Sequence, residues 1–331
     1  MSSKIDTMRA LRQETLGGPD DLRLVTDVPV PVPGAGEILV RVTAAGVNFA
    51  DVMQAYGTYG GGPRAPYIAG FEAAGRVVAL GDGVTGPALG ARVVGAGHGA
   101  FAEFMTMPAA EVVPVPPGWA DEQALGLVLN WATALAALKP LGGVTAGQTV
   151  LIHAAAGGVG QAAVRMAKHY GATVIGTASP GKHGLVRALG ADHVLDRGGA
   201  GLAAEVLRLT AGAGADLVLE SAGGNGFAAG LAAVRRVTGR VVVYGLAGGE
   251  AAVTNADLVF RHQIQLVGLH IGVLAQAAPH MFGRLTRELD ALRAAGVYPP
   301  GEPAVHDLAD GPKVLARLAA GVTTGKLALR P

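Results

Sequence analysis

A glycine-rich turn at residues 153–160 has the residue types and spacing that hold a phosphate group. It follows an apolar strand predicted at Thr149–Ile152 and leads into an amphipathic helix. Gly157, Gly158 and Gly160 permit a tight turn and a close approach of the backbone to a ligand, and the N–H groups at the helix start attract an anion. The segment therefore predicts a site for the pyrophosphate of a dinucleotide.

The surroundings of this turn strengthen a signal that is weak by itself. Ala154 stands where the usual fingerprint has its first glycine, and ordinary strand-to-helix turns also contain glycine. A second apolar strand predicted at Thr173–Thr177 completes the strand–helix–strand unit that the motif requires. A glycine-rich turn with no ligand is the alternative interpretation.

The residues after the second strand indicate which dinucleotide is bound. An acidic residue at this position binds the ribose 2′-hydroxyl of NAD, whereas a basic one suits the 2′-phosphate of NADP. Here the segment carries Ser179 and Lys182 with no acid, and Arg197 follows the next strand. These residues predict NADPH. The alternatives are a solvated lysine at a helix start and a surface arginine.

Polar side chains also follow a strand in the first third of the chain. Asn48 can cap the helix that begins there, with Asp51 three residues later as its reciprocal partner. Both lie at the end of a β run, with Tyr59 further along, so we expect Asn48 and Tyr59 to line a substrate cleft. Packing in the core is the alternative role for Tyr59.

The composition excludes several classes of function. The chain has 331 residues, a formal net charge of +1 and no cysteine. Near-neutral charge without a basic stripe predicts a small-molecule substrate and no nucleic-acid partner. The lack of cysteine excludes disulfides, a thiolate nucleophile and any zinc site with sulfur ligands. No two histidines stand at a ligand spacing near carboxylates, and His153 is interpreted as a packing residue, so no metal is predicted.

The predicted secondary structure around these residues differs between the first third of the chain and the rest. Short β runs separated by Pro and Gly predict a mostly antiparallel β domain in the first third. From about residue 126, strands alternate with helices, which predicts a doubly wound parallel sheet and an α/β fold. Its six strands are expected at Thr149–Ile152, Thr173–Thr177, His193–Leu195, Leu217–Glu220, Arg240–Tyr244 and Gln265–Leu269.

The expected division of the chain is a first domain at 1–125, a dinucleotide-binding domain at 126–272 and a return to the first domain at 273–331. A long helix is predicted at Pro279–Ala295, followed by a β segment at Gly325–Leu329. The apolar run Ala124–Leu138 is too short to cross a membrane and is expected to form a buried helix. The N-terminal residues lack the apolar core of a signal peptide. We expect a cytoplasmic protein with no membrane segment.

The motifs together resemble those of a known family. Residues 153–160, His-Ala-Ala-Ala-Gly-Gly-Val-Gly, are similar to the nucleotide loop of the zinc-independent, zeta-crystallin-like quinone oxidoreductases of the medium-chain dehydrogenase/reductase superfamily. Residues 46–51, Gly-Val-Asn-Phe-Ala-Asp, resemble the first motif of that family's catalytic domain, and residues 176–182 resemble its NADP loop. The resemblance extends over essentially the whole chain. It implies a GroES-like β domain with a Rossmann domain inserted in it.

The resemblance also implies that zinc is not used. Zinc-dependent relatives carry a cysteine where this chain has Asn48, and a histidine followed by glutamate where it has Phe71 and Glu72. Without these ligands, oxidation of a zinc-bound alkoxide is physically implausible. Hydride delivery from NADPH to a quinone or another electron-poor substrate remains, with Asn48 and Tyr59 as the expected hydrogen-bond donors to the developing oxyanion.

The family pattern implies a larger set of cofactor-binding residues and a homodimer joined at the sheet edge near Gln265–Leu269. There are two departures from the pattern. Arg197 stands where some relatives place a tyrosine over the adenosine phosphate, and Met53 also replaces a tyrosine, so we expect the adenine end of the cofactor to be held differently. The expected cofactor-binding residues are Asn48, Thr133, Ala156, Gly157, Gly158, Val159, Gly160, Ser179, Lys182, Arg197, Ser221, Tyr244, Gly245, Leu246, Leu269 and Lys326.

Two other functions fit the same motifs. The segments 48–51, 153–160 and 178–182 also resemble the enoyl-reductase units of polyketide and fatty-acid synthases, which reduce an α,β-unsaturated thioester with the same cofactor. A stand-alone enone or enoyl-thioester reductase is therefore the first alternative. A non-enzymatic protein that binds NADPH is the second.

Overall fold

The computed structural model describes residues 6–199 and 201–331, and within them the chain forms two compact units. Unit 1 comprises the described residues as far as Leu129 together with Pro300–Pro331, and unit 2 comprises Asn130–Pro299. Unit 2 is thus inserted into the sequence of unit 1. Residues 1–5, on which the signal-peptide argument and the start of the predicted first domain fall, lie outside the described residues.

Strands and helices follow one another along the described residues with these bounds. The strands are β1 (Thr7–Gln13), β2 (Leu22–Pro29), β3 (Glu37–Val47), β4 (Tyr67–Ile68), β5 (Glu72–Leu80), β6 (Arg92–Ala96), β7 (Phe104–Pro108), β8 (Val113–Pro114), β9 (Thr149–Ile152), β10 (Thr173–Ala178), β11 (His193–Asp196), β12 (Leu217–Glu220), β13 (Arg240–Val243), β14 (Gln265–Gly268), β15 (Ala304–Asp307) and β16 (Leu327–Arg330). The helices are α1 (Phe49–Ala55), α2 (Ala132–Leu138), α3 (Gly158–His169), α4 (His183–Ala188), α5 (Leu202–Leu209), α6 (Gly224–Ala233), α7 (Ile271–Ala277), α8 (Pro279–Ala294) and α9 (Gly311–Ala319).

Unit 1 is built around a mostly antiparallel sheet. Its strand order is β15-β16-β3-β5-β6-β8, and β7 also pairs with β3. Strand β3 is central because it pairs with β5, β7 and β16 along its length. Its buried residues include Ile38, Val40 and Val42, which pack into the core of this unit. The last strand, β16, pairs antiparallel with β3, so this C-terminal strand belongs to the sheet of unit 1.

Unit 2 contains a six-stranded parallel sheet with the order β11-β10-β9-β12-β13-β14. The predicted α/β fold with a doubly wound sheet is confirmed. The observed strand ends differ from the expected ones by one residue in four strands and match them in β9 and β12. The strand order reverses between β9 and β12, and in open α/β sheets a ligand binds at such a reversal, outside the carboxyl ends of the strands.

Helices α7 and α8 belong to unit 2 by their packing. Leu285, Leu289 and Leu292 of α8 are buried in the same hydrophobic cluster as Leu135 of α2. The sequence-based boundary at 272/273 therefore differs from the division at Pro299 and Pro300 that the packing gives. The change from strand–helix alternation to a single long helix is visible in the sequence, whereas the core that the helix joins is not.

The apolar run Ala124–Leu138 forms a shorter buried helix than expected. Gly126 adopts a φ of +92°, a π-helical turn follows at Leu127–Trp131, and only α2 is a regular α-helix. Every residue of α2 is buried. In the described part of the chain, no helix is long and apolar enough to cross a membrane. Cytoplasmic localisation stays a prediction.

Candidate active site

The glycine-rich turn lies between β9 and α3, as the sequence predicts. A Cβ atom at Gly160 would lie 2.2 Å from the carbonyl oxygen of Ala154 and 2.6 Å from the Cα of Ala155, so only glycine allows α3 to start this close to the turn. Ala154 itself has a φ of +50°, in the left-handed region that favours glycine. The backbone thus keeps the geometry of a glycine at a position where the sequence has alanine.

The turn connects the carboxyl end of β9 to the first residues of α3. Helix α3 begins at Gly158 with Gly157 as its N-cap, and Ala156 is buried beneath the turn. The first N–H groups of a helix have no partner within the helix, so they can donate to an anion at this end. Whether Ala156, Val159 and the three glycines bind the cofactor stays a prediction.

Two cationic side chains lie close together after β10 and β11. Ser179 begins a short 3₁₀ turn, Pro180–Lys182, and the backbone N–H of Arg197 donates to the carbonyl oxygen of Ala178 at 3.0 Å. Partial burial lowers the pKa of Lys182, and the positive charge of Arg197 lowers it further. A phosphate placed near both cations would relieve this repulsion, as the sequence argument for a 2′-phosphate requires.

A second group of candidate residues follows β12 and β13. The backbone N–H of Ala247 donates to the carbonyl oxygen of Ser221 at 3.1 Å, which joins the two segments. A Cβ at Gly245 would lie 3.0 Å from that same oxygen, so a side chain at this position would crowd the hydrogen bond between Ala247 and Ser221. Burial raises the pKa of Tyr244, while a hydrogen bond with Ser221 acts in the opposite direction.

The remaining predicted residues of unit 2 lie on neighbouring elements. Leu269 directly follows β14, and its N–H donates to the carbonyl oxygen of Val243 at 2.8 Å. Thr133 is buried in α2, which packs against α3. Leu246 follows Gly245 in the same loop. Their contact with a cofactor stays a prediction.

Unit 1 contains a buried polar cluster around Glu72. The side-chain amide of Asn48 donates to Glu72 Oε2 at 3.0 Å, and the Lys326 ammonium donates to Asn48 Oδ1 at 2.8 Å and to Glu72 Oε2. The other carboxylate oxygen of Glu72 accepts the backbone N–H of Gly126. Glu72 is fully buried. Lysine and glutamate thus balance each other's charge, and the asparagine bridges them.

Asp51 lies beside this cluster and holds the start of α1. Its Oδ2 accepts the backbone N–H of Asn48, the N-cap residue, at 2.7 Å, in agreement with the predicted capping pair. Burial raises the pKa of Asp51 to about 8, against the lowering effects of this hydrogen bond and of the Lys326 charge. Burial also raises the pKa of Tyr59, and the Asp51 charge raises it further. Tyr59 therefore lies in the electrostatic neighbourhood of Asp51.

Sequence reasoning assigned no role to two buried carboxylates of these sites. Glu72 was considered only as part of a missing zinc motif, and Glu220, at the end of β12, was not considered for any site. The signal for each was an acidic residue at one terminus of a largely apolar strand, because Glu72 begins β5 and Glu220 ends β12. Such a residue requires a partner when it is buried.

Two family models match this chain. The model described as "Zinc-binding dehydrogenase" matches residues 158–289, and the one described as "Alcohol dehydrogenase GroES-like domain" matches residues 34–117. Among curated proteins, the chain is 38% identical over 309 residues to an erythronolide synthase of Saccharopolyspora erythraea. This match covers 92% of the chain but 8% of the synthase. The chain thus spans a small part of that relative's length.

Solved structures match the chain over its length. A mycobacterial protein complexed with NADPH has a TM-score of 0.92 and 34% identity, and the match covers 98% of this chain and 100% of that one. The quinone oxidoreductase of Escherichia coli complexed with NADPH gives a TM-score of 0.91, 28% identity and the same coverage. An enoyl reductase, CurK, gives a TM-score of 0.88 and 29% identity over 98% of this chain and 99% of its own.

The residues present do not fit the zinc ion that the first family description implies. At the positions where zinc-dependent relatives have cysteine and histidine, this chain has Asn48 and Phe71. The carboxylate and amide oxygens nearest these positions bind the Lys326 ammonium, whose charge would repel a metal cation. Among residues 6–199 and 201–331, no group of three or more His, Cys, Asp or Glu side chains is arranged to hold a metal ion.

Proposed function

The chain belongs to the medium-chain dehydrogenase/reductase superfamily, a family of oxidoreductases, and we propose that it is a zinc-independent NADPH-dependent reductase of quinones. The observation that carries this proposal is the nucleotide turn with the Lys182 and Arg197 pair, in a chain that matches an NADPH complex of a quinone oxidoreductase over 98% of its length. The proposed substrates are quinones and related electron-poor molecules.

NADPH, when bound, supplies a hydride to an electron-poor carbon or a quinone carbonyl. The residues of unit 2 hold and orient the cofactor: the turn at 157–160 binds the pyrophosphate, and Ser179, Lys182 and Arg197 bind the 2′-phosphate. Ser221, Tyr244, Gly245, Leu246 and Leu269 are proposed to line the rest of the cofactor site. Orientation of this kind lowers the barrier without any covalent step on the protein.

The residues proposed to stabilise the developing oxyanion are Asn48 and Tyr59. The side-chain amide of Asn48 already donates to the carbonyl oxygen of Gly46 at 3.3 Å and to Glu72 at 3.0 Å. An amide has two N–H donors, so Asn48 must exchange one of these bonds to reach a substrate. The phenol of Tyr59 has a raised pKa and stays protonated at neutral pH, which keeps it a donor. We propose this role for both side chains.

A second candidate function is the reduction of an enoyl thioester. The match to CurK and the 38% identity to a segment of a polyketide synthase favour it. Fold and cofactor are the same for both reactions, so the acceptor alone distinguishes them. The hydride then adds to the β-carbon of the thioester, and a proton adds to the α-carbon.

Oxidation of NADPH in the presence of a benzoquinone, a cyclic enone and crotonyl-coenzyme A tests the proposal. We expect the highest kcat/KM with the quinone, and we expect turnover to survive exhaustive chelation. A higher kcat/KM with the thioester would replace the first function by the second. NADPH binding with no turnover of any acceptor would favour the non-enzymatic alternative, and loss of activity on chelation would contradict zinc independence.

We also propose that the protein is a homodimer joined at the edge of the unit 2 sheet. Strand β14 is the last strand of that sheet, and within the described residues it pairs with β13 alone. An edge strand exposes N–H and C=O groups that a second copy can pair. Light scattering at micromolar concentration should give twice the chain mass of 33.1 kDa. A mass equal to one chain would contradict the dimer.

A further inference from the structure

A buried imidazole and a buried carboxylate face each other at the carboxyl ends of β9 and β12. His153 directly follows β9, and Glu220 ends β12; their exposed fractions are 3% and 0%. His153 Nε2 lies 3.5 Å from Glu220 Oε2, and neither atom has another hydrogen-bond partner among the described residues. The pair therefore lies where the strand order of the sheet reverses, beneath the proposed cofactor site.

The second oxygen of Glu220 fixes the turn that follows β12. Its Oε1 accepts the backbone N–H groups of Ala222 and Gly223 at 2.6 and 2.9 Å. Gly223 has a φ of +67°, and a Cβ there would lie 2.1 Å from the carbonyl oxygen of Gly249. The carboxylate thus holds a turn that only glycine can make, and this turn carries Ser221.

His153 connects that turn to the phosphate-binding turn. Its backbone N–H donates to the carbonyl oxygen of Leu219 at 3.1 Å, and the next residue, Ala154, begins the glycine-rich turn. Helix α6 packs against the pair through Gly230. A Cβ at Gly230 would lie 3.2 Å from both His153 Nε2 and Glu220 Oε2, so a larger residue there would press on both side chains. The imidazole and the carboxylate therefore lie in a closed pocket formed by β9, β12 and α6.

The protonation state of His153 follows from its burial. Burial lowers the pKa of His153, and the Glu220 charge partly opposes this effect. A neutral imidazole carries one proton, and with that proton on Nε2 the ring donates toward Glu220 Oε2. The Glu220 charge also raises the pKa of Tyr244, in addition to the larger effect of burial. A buried carboxylate with one oxygen directed at an imidazole N–H keeps a fixed orientation.

We infer that His153 and Glu220 are positioning residues for NADPH binding: Glu220 holds the Ser221 turn, and His153 holds Glu220, with neither side chain touching the cofactor. This inference rests on the proposed cofactor site and deepens it. It predicts that His153 affects the affinity for NADPH through Glu220 alone. It further predicts that turnover at saturating NADPH is little affected, because the reacting groups are not involved.

The first test compares two substitutions of His153 with a matched control. His153→Leu removes the donor and leaves a buried acceptor unsatisfied, so the Kd for NADPH should rise about tenfold while kcat changes less than about twofold. His153→Gln retains an N–H donor and should keep the Kd within about threefold of the unmutated value. The Kd is measured by titrating the fluorescence of NADPH, which requires no acceptor substrate.

Val218→Ala is the control, because Val218 is also fully buried on β12 and its side chain packs toward Gly230. We expect it to lower the melting temperature as much as His153→Leu does, and to leave the Kd for NADPH unchanged. An unchanged Kd in His153→Leu would overturn the inference. An equal rise of the Kd in Val218→Ala would assign the effect to general loosening of the fold instead.

A double-mutant cycle tests whether His153 acts through Glu220. Glu220→Gln keeps an acceptor for the turn and presents an amide N–H to the imidazole, which can accept it as the neutral tautomer with its proton on Nδ1, so this variant should bind NADPH nearly as well as the unmutated protein. In a Glu220→Leu background, His153→Leu should cause no further rise of the Kd. If Glu220→Leu does not fold, Glu220→Ala, which also removes the carboxylate, closes the cycle, and additive effects of the two substitutions on the Kd contradict the coupling. These outcomes do not depend on which acceptor is reduced, so they are separate from the assay of the proposed function.

Discussion

The polar cluster of unit 1 and the cationic pair of unit 2 differ in how their charges are balanced. In unit 1, the Lys326 ammonium and the Glu72 carboxylate neutralise each other, and Asn48 bonds to both. In unit 2, Lys182 and Arg197 have the same charge; burial lowers the pKa of Lys182, and the Arg197 charge lowers it further. Opposite charges meet in the first region, whereas two like charges are neighbours in the second, where we propose that the 2′-phosphate binds.

This difference distinguishes a structural role from a binding role for similar residue types. Both regions contain a lysine that the family pattern assigns to the cofactor. For Lys182 the electrostatics support that assignment, because a phosphate lowers the energy of the pair. For Lys326 the structure shows bonds to Asn48 and Glu72 instead, so any contact with a cofactor is additional to a role in holding the cluster together.

The largest expected effect follows from breaking the balanced cluster. Glu72→Leu leaves the Lys326 ammonium without its carboxylate, and loss of one partner of a buried ion pair costs about 3 to 5 kcal/mol of unfolding free energy. Denaturation by urea measures this change. Lys168→Met removes the partner of Asp192 in an exposed pair and should cost less than about 1 kcal/mol. Equal losses for the two variants would show that the unit 1 cluster is not a stabilising network.

The pH dependence of stability should reveal the buried carboxyl group of Asp51. Its pKa of about 8 in the folded protein lies above the ordinary value of 3.8, so between these values the folded protein holds a proton that the unfolded chain has released. The contribution of Asp51 to the unfolding free energy therefore falls as the pH rises from 4 to 8, by at most about 1.4 kcal/mol per pH unit. Asp51→Asn should remove this slope from a series of urea denaturation curves.

Asp192 of unit 2 is the matched comparison, because its pKa is shifted in the opposite direction. Burial raises the pKa of Asp192, but hydrogen bonds from Lys168 and Val174 and the charge of Lys168 lower it overall. The stability that it contributes is present above pH 3.8 and is lost as the pH falls through its folded-state pKa. Asp192→Asn should therefore destabilise the protein at neutral pH and have less effect in acid. The same slope in both variants would contradict the two assignments.

A smaller effect is expected from the proposed oxyanion donor. Tyr59→Phe should lower kcat with a quinone about tenfold, because water replaces part of the lost hydrogen bond. Tyr67→Phe is the control, since Tyr67 also lies near Asp51 and its pKa is raised to about 12 by burial and by the Asp51 charge. The control should keep its kcat. If both variants retain the unmutated kcat, the proton or hydrogen bond comes from solvent or from the cofactor.

The sequence predicted unit 2 better than unit 1 for a physical reason. A parallel strand buried on both faces is a continuous apolar run, so Thr149–Ile152 and Leu217–Glu220 could be delimited to the residue. In unit 1, strands such as Thr7–Gln13 and Leu22–Pro29 were not predicted, although they form one pair of a small sheet. Their residues alternate in exposure or are largely exposed, and they contain charged side chains that weaken the apolar pattern.

The site residues also differ in how well the sequence predicts them, according to whether their contacts are local or depend on the tertiary fold. The turn at 157–160 could be predicted because its glycines are required by local geometry, as the contact at Gly160 shows. The cluster of Asn48, Glu72 and Lys326 could not, because its members are up to 278 residues apart and meet through strand pairing. The capping role of Asn48 with Asp51 is local and was predicted. The bonds of Asn48 to Glu72 and Lys326 depend on the tertiary fold and were not.

The most direct test of the account is the ratio of the dissociation constants for NADH and NADPH, measured by fluorescence titration of the unmutated protein and of Lys182→Ala. Charge-assisted bonds to the 2′-phosphate should favour NADPH by about 2 kcal/mol, which is a ratio of about thirty. In Lys182→Ala the ratio should fall toward one through weaker NADPH binding alone, with the affinity for NADH unchanged. Equal dissociation constants for the two cofactors in the unmutated protein would contradict the account.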